Sequence, residues 1–211
     1  MEAGTHPQVT TINGQTVRYT LSVPEGLAPG APLVLCLHYA GHGTPWYGAP
    51  LLRDLVEPAL RATGAVMVAP DCPGRSWTAG GVAETVLALL DAVAAQHATD
   101  PRRVVVAGYS MGGIGAWHYA AAHPERFSAA IPMAGRPGPE LPTIPVYIVH
   151  GRRDEVIAIG PDEAAAAALE AAGATVAFRP LEGVTHYQIP QHAAGLVGIV
   201  PWLASIWSPP G

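Results

Sequence analysis

What most limits the folds open to this chain is a set of short apolar runs, each closed off by turn residues. They are Pro32 to Leu37, Val66 to Ala69, Val104 to Ala107, Ala129 to Met133 and Val146 to Val149, mostly rich in Val, Ile and Leu. A strand with one wet face alternates in polarity, whereas a run that is apolar throughout must be covered on both faces. Such strands belong inside a parallel sheet layered between helices. The helices are supplied by the segments between them. Pro50 to Ala62 and Ala83 to His97 carry apolar residues at three- and four-residue spacing, and Met111 to Ala122 follows the third run. Pro161 to Ala172 opens on Pro161-Asp162-Glu163, suited to a first turn, and stops at Gly173, a C-cap residue. Thr175 to Pro180 is a further strand and Ile189 to Ile206 a final helix. Val9 to Ile12 and Thr16 to Val23 alternate in polarity around Asn13-Gly14, the signature of a tight hairpin. The expected class is α/β: a mostly parallel sheet with an N-terminal antiparallel hairpin at its edge and flanking helices.

No repeat and no long linker divides the 211 residues, so a single domain over 1–211 is expected. The 24 Gly and 22 Pro are spread as punctuation. With 49% hydrophobic and only 13% charged residues the chain is no candidate for disorder. A net charge of −5 leaves no excess to neutralise phosphates, so nucleic acid is not an expected partner. No run approaches the roughly 18 to 20 apolar residues of a spanning helix. Met1-Glu2-Ala3-Gly4 lacks the basic-then-apolar pattern of a signal peptide, which points to the cytoplasm; a secreted chain trimmed of its leader fits the same residues. Cys36 and Cys72 stand in neither a metal nor a CxxC spacing and read as buried thiols. A metal site would have to draw on Cys36, His38, His42, Asp71 and Cys72, which match no standard zinc motif and lack a glutamate base. No metal or other cofactor is expected.

Gly108-Tyr109-Ser110-Met111-Gly112 is a G-x-S-x-G pentapeptide between an expected strand and an expected helix. That turn projects the serine hydroxyl at the carboxyl edge of the sheet, in front of a helix N-terminus that favours developing negative charge. A serine needs a base to take its proton and an acid to orient the base, in the chain order Ser, Asp or Glu, His. Downstream lie Asp154, in His150-Gly151-Arg152-Arg153-Asp154-Glu155, and His186, in Gly183-Val184-Thr185-His186-Tyr187, both after strand ends on the same rim. His118, His123, His150 and His192 are rival histidines, with His150 read as a structural hydrogen-bonder. Glu155 rivals Asp154. An oxyanion needs two backbone donors: one from Met111, and one from the loop Leu37-His38-Tyr39-Ala40-Gly41-His42-Gly43, where Ala40 and Tyr39 are the candidates.

The segment Asp100 to Gly135, "DPRRVVVAGYSMGGIGAWHYAAAHPERFSAAIPMAG", resembles the α/β-hydrolase family, in its small phospholipase/carboxylesterase and polyhydroxybutyrate-depolymerase-like esterase branch. "APDCPGRSWTAGG", "PVYIVHGRRDEVI" and "GVTHYQ" extend the resemblance over nearly the whole chain. It implies Ser110, Asp154 and His186 as a catalytic triad acting on carboxylic esters through an acyl-enzyme. The family's oxyanion loop reads His-Gly-x-Gly, and here Tyr39 stands in the first glycine slot.

About a dozen residues separate the run ending at Met133 from the next near Pro145, room for a turn but not for a helical cap. An open, lidless cleft is therefore expected, accepting a small-molecule ester. Tyr39, His42, Trp46, Trp77, Tyr109, Met111 and Tyr187 are candidate walls, and such a weakly charged aromatic rim suits short-chain or aromatic neutral esters. Polyester or feruloyl esters, an acyl acceptor other than water, and a non-catalytic binding protein on the same fold are the alternatives. Activity should rise with pH as His186 loses its proton, because only neutral imidazole accepts a proton from serine.

Overall fold

The structure is a computed structural model that describes residues 2–41 and 43–208. Eight strands form one sheet: β1 Gly4–Ile12, β2 Gln15–Val23, β3 Leu33–Leu37, β4 Val66–Pro70, β5 Val104–Tyr109, β6 Ala129–Met133, β7 Val146–Gly151 and β8 Val176–Leu181. Their spatial order is β1-β2-β4-β3-β5-β6-β7-β8. β1 pairs with β2, and β2 with β4, antiparallel; every later pairing is parallel. The hairpin therefore sits at the edge, as its alternating residues require. Asn13 and Gly14 both take positive φ at its turn.

The doubly apolar strands divide their side chains between two cores. Leu33, Leu35 and Leu37 of β3, with Val104 and Val106 of β5, face one core. It is capped by helices α3 (Val82–His97), α4 (Met111–Ala122) and α5 (Gly160–Ala171). Val34 and Cys36, with Val105 and Ala107, face the other, which is closed by Leu51, Leu52, Leu55 and Leu60 and by Ile199 and Leu203.

Two segments expected as single helices are broken. Pro50 to Ala62 divides into α1 (Ala49–Leu51), a π turn at Leu52–Val56, α2 (Glu57–Leu60) and a 3₁₀ turn at Arg61–Thr63. Pro58 has no N–H to continue the α ladder, and its ring crowds the preceding turn. Ile189 to Ile206 becomes a 3₁₀ segment, Ile189–Leu196, and α6, Ile199–Trp207, bent by 50° to each other. Gly198, at φ +89°, makes the break.

No single helix among the described residues is long and apolar enough to cross a membrane. Residues 134–145, between β6 and β7, contain no helix or strand, so nothing there caps the carboxyl edge of the sheet.

Candidate active site

Ser110 joins β5 to α4 at φ +56° and ψ −117°, a conformation that L-residues rarely adopt. Its amide donates to the Met133 carbonyl (2.9 Å) and its carbonyl accepts from Ile114 (2.9 Å), so the turn is held on both sides. The flanking glycines are needed for approach. A Cβ at Gly108 would collide with the Gly112 carbonyl, and one at Gly112 with the Leu37 carbonyl. Helix α4 thus abuts the end of β3, next to the proposed oxyanion loop.

Ser110, His186 and Asp154 are brought into one hydrogen-bonded line. The Ser110 hydroxyl donates to His186 Nε2 (2.8 Å), and His186 Nδ1–H donates to Asp154 Oδ2 (2.6 Å). The Asp154 side chain has no exposed surface and that of His186 only 7%. Asp154 Oδ1 also accepts the amides of Val156 (2.9 Å) and Ile157 (2.7 Å). Burial acts to raise the Asp154 pKa, but the His186 N–H and these two amides outweigh it and hold the carboxyl below the ordinary carboxylate range. The loops carrying the acid and the histidine are knitted together by Arg153 N–H to the Val184 carbonyl (3.0 Å).

Glu155 does not compete with Asp154 for the ring: its carboxylate accepts the His186 backbone N–H (3.0 Å) and anchors that loop. Of the rival histidines, His150 and His192 are fully buried. His118 and His123 pack around the Tyr119 ring in and after α4.

The loop after β3 is locked by His38. Its Nδ1–H donates to the Tyr39 carbonyl (2.7 Å), and its Nε2 accepts the Cys72 amide (3.0 Å). Burial pushes its pKa down and so favours the neutral ring this pattern needs. Asp71 accepts the amides of Trp46 (3.0 Å) and Tyr47 (2.7 Å). Ala40 and Met111, two proposed oxyanion donors, both line an open cleft of about 470 Å³; Tyr39 is half-buried beside it, its ring 5.5 Å from that of Tyr47.

The expected walls need correction. Trp77 is fully buried and donates to the His38 carbonyl (2.8 Å), so it supports the loop from beneath. Tyr109 is also buried, its hydroxyl donating to the His186 carbonyl (2.5 Å). Trp46 is tied to the Gln8 carbonyl of β1 (3.0 Å). Tyr187 is 75% exposed, with its ring edge-on to His186 at 5.6 Å. Met111 lines the cleft, and His42 lies outside the described residues.

Tyr47, Arg18 and Arg75 also line the cleft and were not expected there, and Cys72, expected as a buried thiol, is only half-buried and lies on the same wall. Arg18 arrives because β2 pairs with β4 and its carbonyl accepts the Asp71 amide (2.9 Å), a long-range register no local pattern reveals. The rim is consequently more charged than expected.

A thermostable esterase of known structure superposes with a TM-score of 0.79, at 23% identity over 95% of this chain and 62% of that one. Esterase 2 of Thermogutta terrifontis, in its form phosphorylated by paraoxon, gives 0.76 at 18% identity over 98% and 96%. Likeness at such identity establishes the α/β-hydrolase fold. Among curated proteins, the chain is 28% identical to the bifunctional acetylxylan esterase/xylanase XynS20E of Neocallimastix patriciarum over 64% of this chain and 21% of that protein. It is 30% identical to poly(3-hydroxyalkanoate) depolymerase C of Paucimonas lemoignei, over 54% and 30%. The chain thus spans less than a third of the length of either. Residues 74–193, more than half of the sequence and inclusive of Ser110, Asp154 and His186, match the model of the dienelactone hydrolase family, and the chain belongs to that family within the α/β-hydrolase superfamily.

Proposed function

We propose that this protein is a serine carboxylesterase that hydrolyses short-chain or aromatic carboxylic esters through an acyl-enzyme. The observation that carries the reading is the unbroken line Ser110 Oγ–His186 Nε2 (2.8 Å) and His186 Nδ1–Asp154 Oδ2 (2.6 Å) on a strained strand-to-helix turn. His186 takes the serine proton as Oγ attacks the ester carbonyl, and Asp154 stabilises the imidazolium that forms. The amides of Met111 and of Ala40 or Tyr39 receive the oxyanion. Proton return from His186 to the alkoxide releases the alcohol, and water repeats the sequence to free the acid.

A second reading keeps this chemistry on esters carried by a polymer. The exposed Tyr187 ring beside His186 and the lack of any helix or strand in residues 134–145 that could form a cap favour it, as do the relatives named as an acetylxylan esterase and a polyhydroxyalkanoate depolymerase.

The test is a panel of p-nitrophenyl esters from acetate to palmitate, set beside acetylated xylan and a polyester film. Acyl groups bearing a carboxylate are included because Arg18 and Arg75 line the cleft. Hydrolysis strongest on short chains, insensitive to chelator and about 10⁴-fold or more weaker in Ser110→Ala, is the expected result. Full activity in Ser110→Ala would refute the reading.

A further inference from the structure

Behind the triad acid lies a second buried histidine–carboxylate pair. His150, at the end of β7, and Asp162, in the first turn of α5, both have side chains with no exposed surface. Every oxygen facing the His150 ring is an acceptor. Nδ1 lies 2.7 Å from Asp162 Oδ2, and Nε2 lies 2.9 Å from the Ile157 carbonyl and 3.3 Å from Asp154 Oδ2. A neutral imidazole has one N–H and one lone pair, so it would set a lone pair against an oxygen in a site without water-exposed surface. One extra proton held between Nδ1 and Asp162 Oδ2 removes that conflict and makes the pair neutral as a whole. Its positive end then faces Asp154.

Asp162 is itself fixed by the Trp117 indole N–H of α4, at 3.0 Å from its Oδ1. Burial lowers the pKa of His150, but the Asp162 hydrogen bond and charge, the Ile157 carbonyl and Asp154 together leave it raised. Burial raises Asp162, with His150 and Trp117 offsetting part of the effect. Both directions suit a shared proton.

We propose that His150, backed by Asp162, is a positioning residue for the triad, holding the Asp154 carboxylate in place and moderating its pull on the His186 ring. The contact is direct: Asp154 Oδ2, the oxygen 3.3 Å from His150, is the one that accepts the His186 N–H. The other titratable groups around this cluster are engaged elsewhere. Glu155 accepts the His186 amide, the Tyr109 hydroxyl of β5 donates to the His186 carbonyl, and His192 Nδ1 is 3.2 Å from the Gln188 carbonyl. Burial pushes the pKa of His192 down, which favours its neutral ring. The inference rests on the reading of Ser110, His186 and Asp154 as the catalytic line.

The decisive variants are Asp162→Asn and His150→Gln in the full chain. In Asp162→Asn the amide carbonyl keeps the Trp117 bond and its N–H serves His150 Nδ1, leaving His150 neutral and satisfied. Asp154 then acts on His186 without a competing positive end. The acid limb of kcat/KM for p-nitrophenyl acetate should move to higher pH by about one unit. kcat should fall by about tenfold as Asp154, still held by the Val156 and Ile157 amides, loses the positive end that helps fix its Oδ2, with KM nearly unchanged. His186 titration followed by ¹⁵N NMR of the imidazole should move with the acid limb. If His150→Gln fails to fold, Asp162→Asn decides alone. A lower melting temperature with an unmoved His186 titration would make the pair merely structural and overturn the proposal. A wild-type protein that hydrolysed no ester would instead defeat the functional reading, while the NMR titration would still decide this one.

Discussion

At Ser110 the chain accepts a backbone conformation that costs about 1–3 kcal/mol for a residue with a Cβ. The strain at φ +56° and ψ −117° aims the hydroxyl at His186, and the Met133 and Ile114 hydrogen bonds hold it there. This separates two variants that lack the hydroxyl equally. Ser110→Gly relieves the strain and Ser110→Ala does not. In urea melts Ser110→Gly should be the more stable of the two by about 1 kcal/mol, the relief exceeding the extra chain entropy of glycine. Equal stabilities would mean that the turn is not strained. Gly112 is fixed by contact as well: any side chain there would push α4 off the end of β3.

Among the elements, the strands were legible because burial on both faces writes itself into composition, and Leu33 to Leu37 of β3 is buried at every position. The hairpin was legible through Asn13-Gly14. The breaks in the two helical segments were not, because apolar spacing survives a π turn at Leu52–Val56 and a bend at Gly198. Ser110, Asp154 and His186, which the structure joins by hydrogen bonds, stood out because chemistry restricts their types and their order. The walls did not: an aromatic in a rim loop can turn inward, as Trp77 does toward the His38 carbonyl, and sequence position does not record that choice.

Turns between elements carry their own prediction. The Asp100 carboxylate accepts the Arg102 side chain and backbone amide, which lowers its pKa to about 2, and the Asp100 amide donates to the Ala31 carbonyl ahead of β3. Its pKa is lower folded than unfolded, so its contribution is complete above pH about 4 and is lost as the pH falls through about 2. Asp100→Asn should therefore be less stable than the wild type at pH 7, with the gap closing toward pH 2 in melts across that range. A gap of constant size would contradict the assignment.

For the whole molecule, the parallel sheet gathers Ser110, Asp154 and His186 onto one edge from segments far apart in sequence, and residues 134–145 leave that edge open. Residues 134–145 thus offer no cap to be displaced at an oil–water interface. Hydrolysis of a short-chain triglyceride should rise smoothly through its critical micelle concentration, and a sharp jump there would point to a moving cover. The low overall charge, 13% of residues, coexists with Arg18, Arg75 and Asp71 on the cleft beside Met111, so that cleft is not an average sample of the whole.

Ser110, on the proposed reading, is the nucleophile activated by His186. The most direct test of that role is stoichiometric reaction with diethyl p-nitrophenyl phosphate followed by peptide mass spectrometry. One diethylphosphoryl group per chain is expected, on the peptide at Ser110, with activity lost in proportion and no labelling in His186→Ala on the same timescale. Labelling of another residue with Ser110 unmodified, or full activity in the labelled protein, would contradict it.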